Sequence, residues 1–185
     1  MKKFFALFLS LMMLFSVGQA EEMSNYLLSP EEIAVEGNYM LLEDYGLMMF
    51  IPADFISFEV TEEAAATQGT LAIMGREDAS LMMTIAFAGI ADAEGNIITN
   101  YEDLAAFYTA SGTAVEHCAI NYLESMFYSI PSEMVSNGML TSGVCIQSSI
   151  EGAWLNICVL GATEADMEVG SLILLSLMPQ AQSAE

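Results

Sequence analysis

Apolar and polar residues alternate strictly from Val144 to Val159, VCIQSSIEGAWLNICV, on both sides of Glu151-Gly152. A period of two marks strands, and two such runs around a turn mark a hairpin. A two-residue turn at Glu151-Gly152 pairs Val144 with Val159, Ile146 with Ile157, Ser148 with Leu155 and Ile150 with Ala153, on one nearly apolar face. Cys145, Gln147, Ser149, Trp154, Asn156 and Cys158 share the other. Glu-Gly is weaker turn chemistry than Asn-Gly, so a longer loop is open as well. The two-residue register sets Cys145 opposite Cys158 at a non-hydrogen-bonded pair, where side chains approach most closely. A disulfide between Cys145 and Cys158 is geometrically open there, with two half-buried free thiols as the alternative. Cys118 is left over and reads as a buried strand cysteine.

The same patterning predicts the remaining elements. Tyr39–Leu42 and Leu47–Ile51 flank a turn at Glu43-Asp44-Tyr45-Gly46. Phe55–Val60 resumes in strand, and Thr61–Thr70 is a polar, alanine-rich connection with room for a helical turn. Leu71–Met74 and Leu81–Phe87 flank a turn at Arg76-Glu77-Asp78-Ala79. After a loop at 92–96, Thr99-Asn100-Tyr101-Glu102 opens a helix through about Ala110, with Tyr101, Leu104, Ala105 and Tyr108 as its apolar stripe. His117–Ile120 and Met126–Ile130 are strands. Thr163-Glu164-Ala165-Asp166 starts a second helix that runs to about Leu177, with its acids at the positive end of the dipole. Its all-apolar second half predicts burial. Antiparallel hairpins with helices packed on them make an α+β domain.

Residues 1–20 change the picture of where this domain works. Lys2 and Lys3, the apolar run Phe4–Val17 and Gly18-Gln19-Ala20 have the form of a secretory signal peptide. The reading divides the chain into that signal, an acidic arm at 21–37, one domain at 38–180 and a tail at 181–185. The arm is expected to be a linker or loosely ordered, with a helical turn at Pro30-Glu31-Glu32. A secreted protein is expected, periplasmic if the cell has an outer membrane, without stable membrane insertion after cleavage. Beyond residue 20 the chain sets 25 acidic residues against Arg76 alone, a side-chain charge of −24. Such a surface repels nucleic acid and anionic membranes and leaves a cationic partner, divalent cations or plain solubility.

Candidate chemistry is sparse. His117 is the one histidine, and adjacent strand residues face opposite ways, so His117 and Cys118 make a poor dyad. Three cysteines and one histidine do not supply a zinc site. Asp92, Glu94 and Asn96 resemble the opening of a calcium loop without its closing glutamate; a solvated turn is the plainer reading. Paired carboxylates suit glycoside hydrolysis, but in so acidic a chain some pair always lies close. No cofactor motif is present. Trp154, beside Asn156 and Gln147 on the polar face, is the candidate contact platform; the competing reading is that a helix covers this face and Trp154 anchors it.

Three stretches carry a family resemblance. Tyr45-Gly46-Leu47-Met48-Met49-Phe50-Ile51-Pro52-Ala53-Asp54-Phe55 resembles a "YG-x-x-F-x-IP-x-DW" opening strand, with Met49 at the phenylalanine and Phe55 at the tryptophan. Asn100-Tyr101-Glu102-Asp103-Leu104 resembles the mid-chain helix, and Thr163–Asp166 through Met178-Pro179 the closing one. Together they resemble the small exported PsbP-like proteins of gut-type Gram-positive bacteria, over roughly Tyr39 to Pro179. The resemblance implies an antiparallel sheet sandwiched by helices (α/β/α) and a mostly non-enzymatic role. The expectation is thus a secreted, non-catalytic binding or accessory module for an unknown protein or small molecule. Its alternatives are a small extracellular hydrolase and a calcium-stabilised surface protein.

Overall fold

The computed structural model describes residues 23–180. The signal peptide read at 1–20 and the tail at 181–185 lie outside the described residues. The strands are β1 (Asn25–Tyr26), β2 (Gly37–Leu42), β3 (Leu47–Pro52) and β4 (Ile56–Phe58). Helix α1 (Glu62–Gln68) leads into β5 (Thr70–Gly75) and β6 (Leu81–Gly89). Helix α2 (Tyr101–Ala110) precedes β7 (Ala114–Ile120), β8 (Leu123–Ile130), β9 (Leu140–Gln147) and β10 (Ala153–Gly161). Helix α3 (Glu164–Leu175) and β11 (Met178–Pro179) close the chain.

An eight-stranded sheet runs β1-β7-β8-β9-β10-β6-β5-β4, and a three-stranded sheet runs β11-β3-β2. Every pairing is antiparallel except β1 on β7. One face of the large sheet presents Leu81, Met83, Ile85, Val144, Ile157 and Val159 to Met167, Ile173 and Leu174 of α3 and to Leu47, Met49 and Ile51 of β3, forming the main core. The opposite face carries α2, whose Tyr101 and Leu104 pack on Met126, Tyr128, Cys145 and Trp154. The molecule is α+β, with α2 on one face of the large sheet and α3 with the small sheet on the other.

Local chemistry sets the ends of these elements. Asn100 caps α2 by accepting from the Asp103 N–H at 2.9 Å. Thr163 and Asp166 form a reciprocal capping box on α3. The last helical turn stops at Leu175, short of the expected Leu177. There Ser176 Oγ donates to the Ile173 carbonyl (2.6 Å) and accepts from the Phe50 N–H (2.8 Å), tying the helix end to β3. Met178–Pro179 then pairs with β3 as the third strand of the small sheet.

Two expectations are corrected. The central hairpin pairs Gln147 with Trp154, Ile146 with Leu155 and Asn156 with Cys145, a slip of two residues from the two-residue-turn register. The Ala153 N–H bonds the Ile150 carbonyl and the Ser148 N–H the Ala153 carbonyl, with Gly152 at φ 74°, so a longer loop replaces the tight turn. An even slip leaves every side chain on its predicted face. Cys158 now opposes Gly143, Cys145 and Cys158 are only diagonal neighbours, and both are free thiols, so the directly opposed pair expected for a disulfide does not form. The acidic arm, for its part, is docked: Asn25–Tyr26 adds parallel to β7, and Tyr26 OH donates to Glu116 at 2.7 Å. The helical turn expected at Pro30–Glu32 is present, capped by Ser29.

Candidate binding cleft

Alternation along β10 sends Trp154, Asn156 and Cys158 to the α2 side of the large sheet. Neighbouring β6 sets Ala88 beside Trp154 and Ala86 beside Asn156. Helix α2 lies over β7 and β8, so this β6–β10 strip is only partly covered. A cleft of about 280 Å³ opens there. Its floor is Ala86, Ala88 and Gly89, its walls are Phe107 and Tyr108 of α2 and Trp154 and Asn156 of β10, and its rim is Ile90 with Thr67 and Gln68 at the end of α1.

The walls are fixed by hydrogen bonds and ring contacts. Trp154 is 1% exposed. Its Nε1 donates to the Ile98 carbonyl at 2.9 Å, and the Tyr101 ring meets it edge-on at 5.2 Å. Tyr101 OH donates to the Glu124 carbonyl (2.8 Å) and accepts from the Gln147 N–H (3.1 Å). Tyr108 stacks on Tyr128 at 4.9 Å. Tyr128 OH in turn donates to Asn156 Oδ1 at 2.9 Å. That bond occupies one end of the Asn156 carboxamide; among the described residues its Nδ2 has no hydrogen-bond partner. Phe107, 37% exposed, lies outside the buried stripe of α2.

The electrostatics are those of a neutral site. No residue lining the cleft carries a formal charge. Burial pushes the Tyr101 phenol up to about 12 and the Tyr108 and Tyr128 phenols higher still, so all three remain protonated donors. Cys145, behind the wall and 3.4 Å from Tyr108 OH, is pushed up to about 12, again by burial. A thiol held protonated is a poor nucleophile. The arrangement offers shape, aromatic surface and one free carboxamide donor, which are means of binding.

The predicted site residues are therefore divided. Trp154 and Asn156 line one cleft, but Trp154 is a buried anchor under α2 and not the exposed platform. Gln147 lies outside: its Nε2 is taken by the Thr99 carbonyl. Asp92, Glu94 and Asn96 share a loop in which Asp92 Oδ1 accepts from the Glu94 and Asn96 N–H groups (2.9 and 2.8 Å) and Oδ2 from Asn96 Nδ2 (2.9 Å). These bonds pin the loop and hold the Asp92 carboxyl below its usual range, Asn96 contributing most. Asp78 is likewise lowered, chiefly by its bond with Ser80. Among the described residues no group of three His, Cys, Asp or Glu side chains is placed to hold a metal. His117 stacks on Tyr101 at 4.6 Å and meets Glu124 Oε1 through Nε2 at 2.9 Å, away from the cleft lining. Ala86, Ala88 and Phe107 escaped the sequence reading. The small-residue spacing of Ala86, Ala88 and Gly89 was the signal that a surface is left open there.

No family model matches the chain, and no curated protein matches it. Among solved structures, the chain is similar to cyanobacterial PsbP from Synechocystis sp. PCC 6803, with a TM-score of 0.46, 11% identity, and 90% of this chain and 98% of that one covered. It is also similar to a protein from Bacteroides thetaiotaomicron, with a TM-score of 0.44, 10% identity and 80% of this chain covered, and it spans about half (50%) of that chain's length.

Proposed function

We propose that this protein is an exported, non-catalytic binding module whose ligand site is the cleft between α2 and the β6–β10 strip. The observation that carries this reading is the composition of the cleft: small residues as floor, hydrogen-bonded aromatic side chains in the walls, and a carboxamide held by its oxygen with its N–H donor open. Pre-formed concave sites with few polar groups are where small ligands bind. Export is supported by the basic, apolar and small-residue pattern of residues 1–20. The hydrolase alternative needs a carboxyl group with a raised pKa in a cleft. Asp78 and Asp92 are moved the other way, and no carboxylate lines this cleft.

A thermal-melt screen tests the reading. The purified protein and an Ala88→Leu variant, in which a larger side chain fills the floor, are melted with calcium, other divalent cations, glycans, lipids and cationic peptides. A ligand bound only by the folded state raises the melting temperature by mass action. The expected result is a saturable rise with at least one class in the native protein that is lost in Ala88→Leu. A rise that is identical in both proteins, or no rise with any class, overturns the cleft as the binding site.

A further inference from the structure

We infer that the cleft takes one neutral sugar ring, free or as a unit of a glycan; this rests on the binding reading above and names its ligand class. Size comes first. At about 280 Å³ the cleft falls just below the range of drug-sized pockets, so it suits a single ring. Charge comes next. With no ionised group in the lining, neither an anion nor a cation would find a partner, and a ligand charge would be desolvated without compensation. An anion meets the further obstacle of a strongly acidic chain.

The distribution of polar groups selects among neutral rings. The floor is apolar, since Ala86 and Ala88 project no further than Cβ, and the partly exposed Phe107, packed edge-on against Tyr108, adds aromatic surface from α2. Polar groups flank that floor: Asn156, with its Nδ2 donor, opposes Ala86 from β10, and the Gln68 carboxamide, which both donates and accepts, lies at the β5 edge, two residues before Thr70, which opposes Ala86 from the other flank. Tyr128 orients Asn156, so this donor is pre-set. A ring with one C–H face and a rim of hydroxyl groups satisfies the apolar surface and both polar edges at once, with the C–H face on apolar surface that includes Phe107 and hydroxyls on Asn156 and Gln68. A flat aromatic ligand would cover the half-buried Asn156 Nδ2 without giving it an acceptor, which costs binding energy, while the exposed Gln68 would stay in water.

Trp154 is the only tryptophan of the chain and sits in the wall, so its fluorescence reports occupancy. Native protein, Phe107→Ala and Asn156→Asp are titrated with glucose, galactose, mannose, N-acetylglucosamine and toluene. Phe107 is exposed enough that its loss should spare the fold, and aspartate at 156 keeps the acceptor for Tyr128 while removing the donor; melting curves confirm folding of both. At least one sugar should give a saturable change, weakened about tenfold or more in each variant. Saturation by toluene alone overturns the sugar inference and leaves the cleft as a binding site. Sugar binding unchanged in both variants overturns the placement of the ring. No response to any probe overturns the inference, and the Ala88→Leu comparison then decides whether the wider binding reading stands.

Discussion

Gly143 has no side chain because Tyr128 occupies the space that one would need. A Cβ built at Gly143 would overlap Tyr128 Cζ and Oη, and the Tyr128 ring is buried between β9 and Tyr108. Gly143→Ala should therefore cost about 1–3 kcal/mol, the usual penalty for overpacking a tight core, measured by urea denaturation. Tyr128→Phe removes the hydroxyl's bonds to Asn156 and Cys158 and should cost about 1–2 kcal/mol. A neutral Gly143→Ala would mean that the ring can move aside, and the pre-set orientation of Asn156 would fall with it. At this scale the sequence disclosed which face each residue of the hairpin occupies, because faces follow from alternation alone. It did not disclose exposure. Trp154 and Gln147 read alike on the polar face, yet one is sealed beneath α2 and the other is open, since that depends on where a helix from another part of the chain comes to rest. Phe107 shows the converse. In sequence it is one more aromatic in a helix, and the incomplete cover of the sheet leaves it partly open.

Between β7 and β8 the chain turns through Asn121 and Tyr122, both with positive φ, 47° and 67°. Asn-Gly would advertise such a turn; Asn-Tyr does not, and the sequence pattern gave two separate strands in place of a hairpin. The structure explains the asparagine. Its Nδ2 donates to the Leu175 and Leu177 carbonyls (2.8 and 2.9 Å) at the end of α3, and its Oδ1 accepts from the Leu28 N–H (2.9 Å). One side chain thus joins the turn, the helix end and the N-terminal arm. Asn121→Ala should lose about 4 kcal/mol, about 3 from three hydrogen bonds at about 1 kcal/mol each and about 1 from the strain of a left-handed backbone on alanine. Asn121→Gly relieves the strain but not the bonds and should fall between the two in chemical denaturation; equal loss in both variants would place the whole effect in the bonds. Tyr122 is 78% exposed, and its N–H donates to Asn25 Oδ1 at 3.2 Å, a second tie between the turn and the N-terminal arm. The elements best read from sequence, β2–β3, α2 and α3, each carry their own turn or cap. The parallel β1 has two residues and no periodicity, so its docking is set by partners far along the chain.

Charge acts on the whole molecule. Arg76 is the single base beyond residue 20, and it is shared: its Nε meets Asp54 at 2.8 Å and its Nη1 meets Asp166 in the capping box of α3. One guanidinium therefore ties the turn after β3 and the β5–β6 turn to the start of a helix, while among the described residues the other acids have no basic residue to answer them beyond His117 near Glu124. The sheet order that creates this meeting, with β10 beside β6, was not legible from hairpins read one at a time, because pairing between distant strands leaves no local signature. Two salt effects then oppose each other. Added salt screens the Arg76 pairs, which destabilises, and it screens repulsion among the carboxylates, which stabilises. The first involves two contacts, one of them to the half-exposed Asp54, and exposed pairs are worth little. The second involves a side-chain charge of −24 across one small domain. Repulsion should win. Raising sodium chloride from about 10 mM, where the Debye length is about 30 Å, to about 1 M, where it is about 3 Å, is expected to raise the melting temperature by roughly 3 °C or more, the equivalent of about 1 kcal/mol at this chain length. Arg76→Gln separates the two terms: it removes the stabilising pairs, so its melting temperature should start lower in dilute buffer and rise more steeply with salt. A melting temperature that falls with salt in the native protein, and does so less in Arg76→Gln, would make the arginine pairs the dominant electrostatic term instead.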